Sequence, residues 1–377
     1  METTVLLNLR FRDQVFVARQ VHPAENSCRS TNRNIRLASV QDHGSRIIGQ
    51  PLLQFYRPQV QIPLTALYGW KVLHLMPAFD SLIVLGATAS GKTALGVALA
   101  RQLDGEIISA DSRQIYRGLD IGSGKDIHEY DLGGASVPYH LIDHVDLDTE
   151  YNVFQYQRDF YEAFAAIRAR EKIPVVVGGT GFYLEAVLSD SLMIPVPENS
   201  ELRATMAPMS VDLLQEKLLQ LKPDVHNTTD LLDRERLERA IEIAVHSETA
   251  TPEPAPAKAP LVLGLEWNRK TLRQRIAHRL QSRMEAGLIE EVEDLLSAGC
   301  PWQRLEQLGL EYRYVARYLR GKINSKNDLR QKLSGEICRF ARKQDTWFRR
   351  MEKKGTVIHW VPEGQLDGAL DVIRNAE

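Results

Sequence analysis

From Ser81 onward the chain carries short, unbroken apolar runs: SLIVL at 81–85, EIIS at 106–109, IPVVV at 173–177 and LVLGLEW at 261–267. Runs of this length without polar alternation predict strands covered on both faces, as in a parallel sheet. Between them, TALGVALARQL at 93–103 and the stretch near Phe154–Arg170 have helical spacing. Strands alternating with helices predict an α/β fold with helices on both faces of the sheet. Further on, residues 269–298 show helical spacing, with Leu272, Ile276, Leu280, Met284, Leu288, Val292 and Leu295 on or near one face.

Other segments break this rhythm. Residues 195–230 turn proline-rich and then helical around VDLLQEKLLQLKPD, which predicts a small helical insertion, and TPEPAPAKAP at 251–260 predicts an extended linker. Residues 1–75 show no clear period and are expected to be a partly disordered extension outside the functional body, with Met76 as a natural start. The expected organisation is an extension at 1–75, an α/β core at 76–194, a small helical insertion at 195–235, and 236–377 completing the core and adding a basic helical part.

Composition narrows the class. No apolar run approaches the roughly 20 residues that span a bilayer. Three widely spaced cysteines, Cys28, Cys300 and Cys338, give neither a disulfide framework nor a metal pair. The net charge of −2 hides an asymmetry: residues 81–265 hold 16 Lys+Arg against 28 Asp+Glu, and residues 266–354 hold 21 against 12. A basic segment on an otherwise acidic chain points to a polyanion such as nucleic acid, although a solvated helix surface produces some of the same excess.

The most specific motif is Gly86-Ala87-Thr88-Ala89-Ser90-Gly91-Lys92-Thr93, which satisfies G-x-x-x-x-G-K-[ST] between a strand and a helix. Backbone N–H groups of such a loop wrap phosphates, the helix N-terminus adds partial positive charge, Lys92 neutralises oxygens and Thr93 can hold Mg²⁺. The fold class is therefore a P-loop NTPase-like parallel sheet flanked by helices. A kinase or nucleotide hydrolase adds a strand-end acid for the metal, but IPVVV ends in Gly178-Gly179-Thr180 without one. The comparable acid is Asp111, after EIISA; as a metal-organising carboxylate or as a general base, it is the pivotal residue. Arg275 and Arg279, four apart, present two cations to a diphosphate or form surface ion pairs. Trp347 and Phe348, among Lys343, Arg349 and Arg350, either stack on RNA or pack in the core. His140 and His144 flank LID and are assigned no metal.

Seven segments in order, GATASGKTALGVALA, GEIISADSRQIYRGLDIGSGKD, YHLIDHVD, IPVVVGGTGFYLEAVL, RERLERAIE, QRIAHR with AGLIEEV, and CRFARKQDTWFRR, resemble the tRNA dimethylallyltransferase (tRNA isopentenyltransferase) family over roughly residues 81–350. The resemblance implies that the loop, Gly86 to Thr93, binds dimethylallyl diphosphate with Arg275 and Arg279, and that Mg²⁺ sits at Thr93. It also implies that N6 of an adenosine beside the tRNA anticodon attacks C1 of the donor, with diphosphate leaving and Asp111 taking the N6 proton. Lys92, Thr93 and Thr180 join Asp111 as catalytic residues, Thr180 lining the reaction channel. Contacts to the tRNA anticodon loop are implied for Asp111, Ser112, Arg113 and Gln114, for Arg236 and Arg239, for Arg313, and for Arg342, Lys343, Gln344, Trp347 and Arg349. A cytoplasmic, monomeric enzyme with no membrane partner is expected. Ala87 replaces a usual proline, and VHNTTDLLD and QLGLEYRY depart from the family pattern in tRNA-contacting regions. The alternatives are an adenylate isopentenyltransferase acting on AMP, ADP or ATP, a P-loop kinase of a small metabolite, and an RNA-binding protein without activity.

Overall fold

The computed structural model describes residues 6–11, 14–19, 79–132, 135–222, 233–247, 252–256 and 258–376. The chain divides into two units, Met1–Met76 and Pro77–Glu377. In the first, strands β1 (Leu6–Phe11) and β2 (Gln14–Arg19) pair antiparallel, with Leu6 opposite Arg19. This hairpin is not anticipated above, although Leu7, Leu9 and Phe11 alternate with Asn8 and Arg10 at the strand period. The rest of the 1–75 extension lies outside the described residues.

In the second unit, β3 (Ser81–Gly86) and β4 (Gly105–Ala110) are fully buried strands. A short pair, β5 (Asp131–Leu132) and β6 (Ala135–Ser136), precedes β7 (Tyr139–His140), β8 (Ile173–Gly178), β9 (Pro260–Glu266) and β10 (His359–Pro362). Six of these form one parallel sheet in the order β10-β9-β3-β8-β4-β7. The unbroken apolar runs are explained by burial on both sides: Leu82 and Val84 enter one core, Ile83 and Leu85 the other. The first core is closed by helix α1 (Lys92–Gln102) and, much later, by α12 (Leu366–Asn375). The second is closed by α2 (Val153–Ala169) and α3 (Gly181–Leu188), then by the helices of the C-terminal part. Helix α2 starts at a reciprocal capping box between Asn152 and Gln155.

Helices α4 (Ser200–Met206), α5 (Val211–Leu221) and α6 (Arg234–Ser247) form a small separate core of Met206, Leu214, Leu218, Leu237 and Ile241. The insertion therefore includes α6, and a boundary at 235 cuts that helix; RERLERAIE reads as helix wherever it packs, so its partner was not legible locally. The helical spacing over 269–298 is carried by two helices, α7 (Arg269–Glu285) and α8 (Leu288–Ser297), separated at Gly287 with φ 104°. Its apolar face continues through the break, with Leu272, Ile276 and Leu280 before it and Leu288, Val292 and Leu295 after it buried together. Then come α9 (Trp302–Gln307), α10 (Leu310–Leu319) and the 28-residue α11 (Lys326–Lys353). No helix among the described residues is long and apolar enough to cross a membrane.

The glycine at the end of β8 is a packing requirement. A Cβ at Gly178 would lie 2.2 Å from the carbonyl oxygen of Ala110 on β4, and backbone cannot yield as a flexible side chain can. Gly178→Ala is expected to cost on the order of 3 kcal/mol, measured as a lower urea midpoint with unchanged slope.

Candidate active site

The carboxyl ends of β3, β4, β8 and β9 converge, as in other open parallel sheets where ligands bind beyond the strand ends. The loop after β3 turns through Ala89 (φ 62°) and Gly91 (φ 89°), and Gly91 caps α1 in a conformation that side chains strain to adopt. Ser90 N–H donates to Ala87 O at 3.2 Å, and Leu95 N–H closes the first helical turn on Gly91 O at 3.1 Å. The outer carbonyls are held from the residue after β9 and from α7: Trp267 Nε1 donates to Ser90 O at 2.9 Å and Arg275 Nε to Ala89 O at 2.8 Å. The Arg275 guanidinium lies 4.2 Å over the Trp267 ring. Arg275 thus shapes the loop as well as lining the cleft beside it.

That cleft is a cavity of about 1390 Å³ lined by Lys92, Thr93, Asp111 and Thr180 among others. Burial lowers the Lys92 ammonium to a pKa of about 8, with Asp111 opposing the shift and Arg279 and Arg283 adding to it. Asp111 follows β4 directly, and its Oδ1 accepts the Arg113 N–H at 3.0 Å, which fixes the carboxylate in an Asx turn. Its Oδ2 accepts no hydrogen bond from the described residues. Thr180 is the N-cap residue of α3, yet its hydroxyl does not cap the helix; Oγ1 accepts the Ser112 N–H at 3.0 Å. The Thr180 N–H donates to Ala110 O at 3.2 Å, so Thr180, between β8 and α3, holds the backbone on both sides of Asp111.

Residues 120–126, quoted above only within a motif, form a third wall. Glu291 of α8 accepts the N–H groups of Asp120, Ile121 and Gly122 at 3.0, 2.6 and 3.0 Å, and the Tyr312 hydroxyl at 2.8 Å. Lys125, fully buried, pairs with Asp120 at 2.7 Å and with Asp143. This anchoring presents Asp126 to Arg279 at 2.7 Å. No local signal marks Glu291 as the clamp, because its partners lie some 170 residues earlier.

The expected nucleic-acid contacts fall in different places in the fold. Arg113 and Arg313 line the cavity, and Arg342, Lys343 and Arg349 are exposed on α11. Gln114 lines it as well, but its amide joins Ser109 Oγ and Gly124 O, both at 3.0 Å, so the side chain serves the loop's structure. Arg236 and Arg239 stand on α6, where Arg239 pairs with Glu242 at 2.9 Å and donates to Val196 O at 2.7 Å. Trp347 takes the core outcome: a Cβ at Gly181 would lie 2.4 Å from its ring, and Arg350 covers it at 4.0 Å. Phe348 is fully buried. His140 bonds Glu106 at 2.7 Å and His144 bonds Asp159 at 3.2 Å, both outside the cavity lining.

Gln344 turns inward from α11. Its Oε1 accepts the Thr88 N–H at 2.9 Å and its Nε2 donates to Gly179 O at 2.7 Å, so one amide ties α11 to two strand-end loops. Gln344→Ala would leave both backbone groups without a partner, at about 1–3 kcal/mol each. The expected result is roughly tenfold weaker binding of inorganic pyrophosphate by calorimetry, with a lower melting temperature.

Loop, strand-end carboxylate and arginine-bearing helix together belong to a P-loop NTPase-like α/β fold. The chain belongs to the IPP transferase family. The IPP transferase model matches residues 114–351 and the isopentenyl transferase model residues 80–138. The chain is 54% identical over 296 residues to tRNA dimethylallyltransferase 1 of Geotalea uraniireducens (strain Rf4), covering 78% of this chain and 95% of that one. It is 55% identical to tRNA dimethylallyltransferase 2 of Syntrophotalea carbinolica, covering 78% and 96%. The crystal structure of the full-length tRNA isopentenylpyrophosphate transferase from Bacillus halodurans superposes with a TM-score of 0.56 at 28% identity, covering 79% of this chain and 98% of that one.

Proposed function

We propose that this protein transfers a dimethylallyl group from dimethylallyl diphosphate to N6 of an adenosine beside the tRNA anticodon, releasing diphosphate. The observation that carries the reading is the placement of Lys92 and Asp111 in one cavity, close enough for the carboxylate to oppose the depression of the lysine pKa. A leaving-group site and a base site thereby share an enclosure. The kinship with named tRNA dimethylallyltransferases at 54–55% identity supports tRNA as the acceptor.

In this reading the C1–O bond of the donor breaks as N6–C1 forms, and the N6 proton passes to Oδ2 of Asp111. Negative charge builds on the departing diphosphate, where the loop N–H groups, the start of α1 and Lys92 stabilise it more than in the ground state. Ser112 and Thr180, by gripping the Asp111 turn, hold the carboxylate in line. Mg²⁺ fits the donor set: the Thr93 hydroxyl is a hard oxygen ligand beside Lys92, and diphosphate oxygens and water would supply the others. When bound, it would add positive charge opposite the leaving group.

The adenine must leave the anticodon-loop stack to reach C1, at modest cost in a single-stranded loop. Arg113 and Arg313 at the cavity, with exposed Arg342, Lys343 and Arg349 on α11, offer cations to the RNA backbone. Both the phosphate loop and the Asp111 wall come from one chain, so a monomer suffices, and we place it in the cytoplasm with its acceptor. The deciding assay supplies labelled dimethylallyl diphosphate and Mg²⁺ with unmodified tRNA and AMP in parallel. Label recovered as N6-dimethylallyladenosine in tRNA supports the reading; label in AMP alone, or in neither, overturns it.

A further inference from the structure

The four-residue spacing of Arg275 and Arg279 continues one turn further to Arg283, and all three arginines line the same cavity. Their partners differ. Arg275 is bonded to the phosphate loop and Arg279 to Asp126 at 2.7 Å, whereas Arg283 makes only long contacts. Its Nη1 lies 3.4 Å from Gly122 O and 3.6 Å from a Glu311 carboxylate oxygen, and its Nη2 is buried with no hydrogen-bond partner. The side chain is 11% exposed. A guanidinium has five donors in a fixed fork, and keeping one out of water without close acceptors is costly.

The neighbours deepen this imbalance. Gly124, at φ 66°, lies beneath two guanidinium groups: a Cβ there would fall 1.5 Å from Arg283 Nη2 and 2.5 Å from Arg279 Nη2. The missing side chain is what lets both cations reach this wall. Both arginines depress the Lys92 pKa, and Arg279 depresses that of Arg283 after burial itself, so the three cations repel one another across the cavity. Glu311 compensates weakly, since burial favours its protonated form.

We infer that Arg283 binds the diphosphate of the donor together with Lys92 and Arg279, exchanging its long contact to Glu311 for short bonds to phosphate oxygens. The inference rests on the donor assigned above. A diphosphate is a polyvalent acceptor that satisfies a guanidinium fork and relieves the repulsion among three cations at once. A tRNA backbone phosphate carries one charge and offsets less of the repulsion among three cations, so the donor is the better match.

Arg283 and Glu311 give opposite expectations, which separates a ligand contact from a structural ion pair. Calorimetry with Mg²⁺ and inorganic pyrophosphate is run on the full chain and on Arg283→Met, Arg283→Lys and Glu311→Gln, with melting temperatures and tRNA affinities measured in parallel. Arg283→Met should weaken pyrophosphate about 10- to 100-fold, Arg283→Lys should recover part of the loss, and Glu311→Gln should tighten binding by removing the competing carboxylate. Affinity for tRNA without donor should stay within about twofold for all three. Parallel losses of pyrophosphate affinity and melting temperature in Arg283→Met and Glu311→Gln would overturn the inference in favour of a structural pair. So would a loss confined to tRNA, or no change in pyrophosphate binding. These are binding measurements without turnover: if wild-type protein fails to prenylate tRNA yet keeps this pattern, the acceptor reading falls and the Arg283 assignment stands.

Discussion

Asp111→Asn is expected to slow prenyl transfer about a thousandfold in single-turnover assays while leaving pyrophosphate affinity within a few-fold of wild type. The asparagine Oδ1 can still accept the Arg113 N–H now bonded at 3.0 Å, so the Asx turn after β4 survives. What disappears is the charge and basicity of the open side-chain position, and with it the acceptor for the N6 proton. A metal-organising role gives another outcome, in which Mg²⁺ and pyrophosphate affinity fall as steeply as the rate. The two readings left open by the sequence are thus separated by one variant measured two ways.

Lys92→Ala should lose about a hundredfold or more in both pyrophosphate affinity and rate, because the ammonium binds the diphosphate and holds it more strongly as negative charge builds during departure. The pH dependence makes the expectation sharper. Lys92 has its pKa at about 8, lowered chiefly by burial and further by Arg279 and Arg283. Below that pH it is already charged, and diphosphate binding takes up no proton there. Above it, binding must bring a proton, so pyrophosphate dissociation constants should rise by up to about tenfold per pH unit. Lys92→Ala should flatten this slope. Asp111→Asn should move its onset to lower pH, since removing the carboxylate lets the Lys92 pKa fall further. A slope unchanged in Lys92→Ala would show that another group controls it.

The comparison of sequence and structure turns on how far apart the interacting residues lie. Strands β3, β8 and β9 were readable because burial on both faces demands unbroken apolar runs, and the phosphate loop because its glycines and Lys92 occupy one short segment. The hairpin near the N-terminus was not legible, because two six-residue alternations are too short to stand out in a segment without a longer period. The helical spacing over 269–298 likewise continued across Gly287, where φ 104° breaks the backbone but leaves the apolar face in register. Arg283 extends the spacing of Arg275 and Arg279, but its lack of close partners is a property of the packed cavity that spacing does not show.

Position on a helix also fails to say which way a residue faces in the assembled fold. Gln344 sits among cations on α11, yet it bonds Thr88 across 256 residues; Trp347, three positions on, packs against Gly181 and Arg350. By itself the sequence determined the α/β class, the phosphate loop and the strand-end position of Asp111, since periodicity and turn chemistry are local consequences of side-chain size, polarity and backbone freedom. The tertiary structure alone decided that Glu291 clamps the third wall, that Gln344 ties α11 to the loop, and that three α7 arginines converge. Those arrangements depend on which distant surfaces bury one another, and that is settled only when the sheet order and helix packing close the cavity.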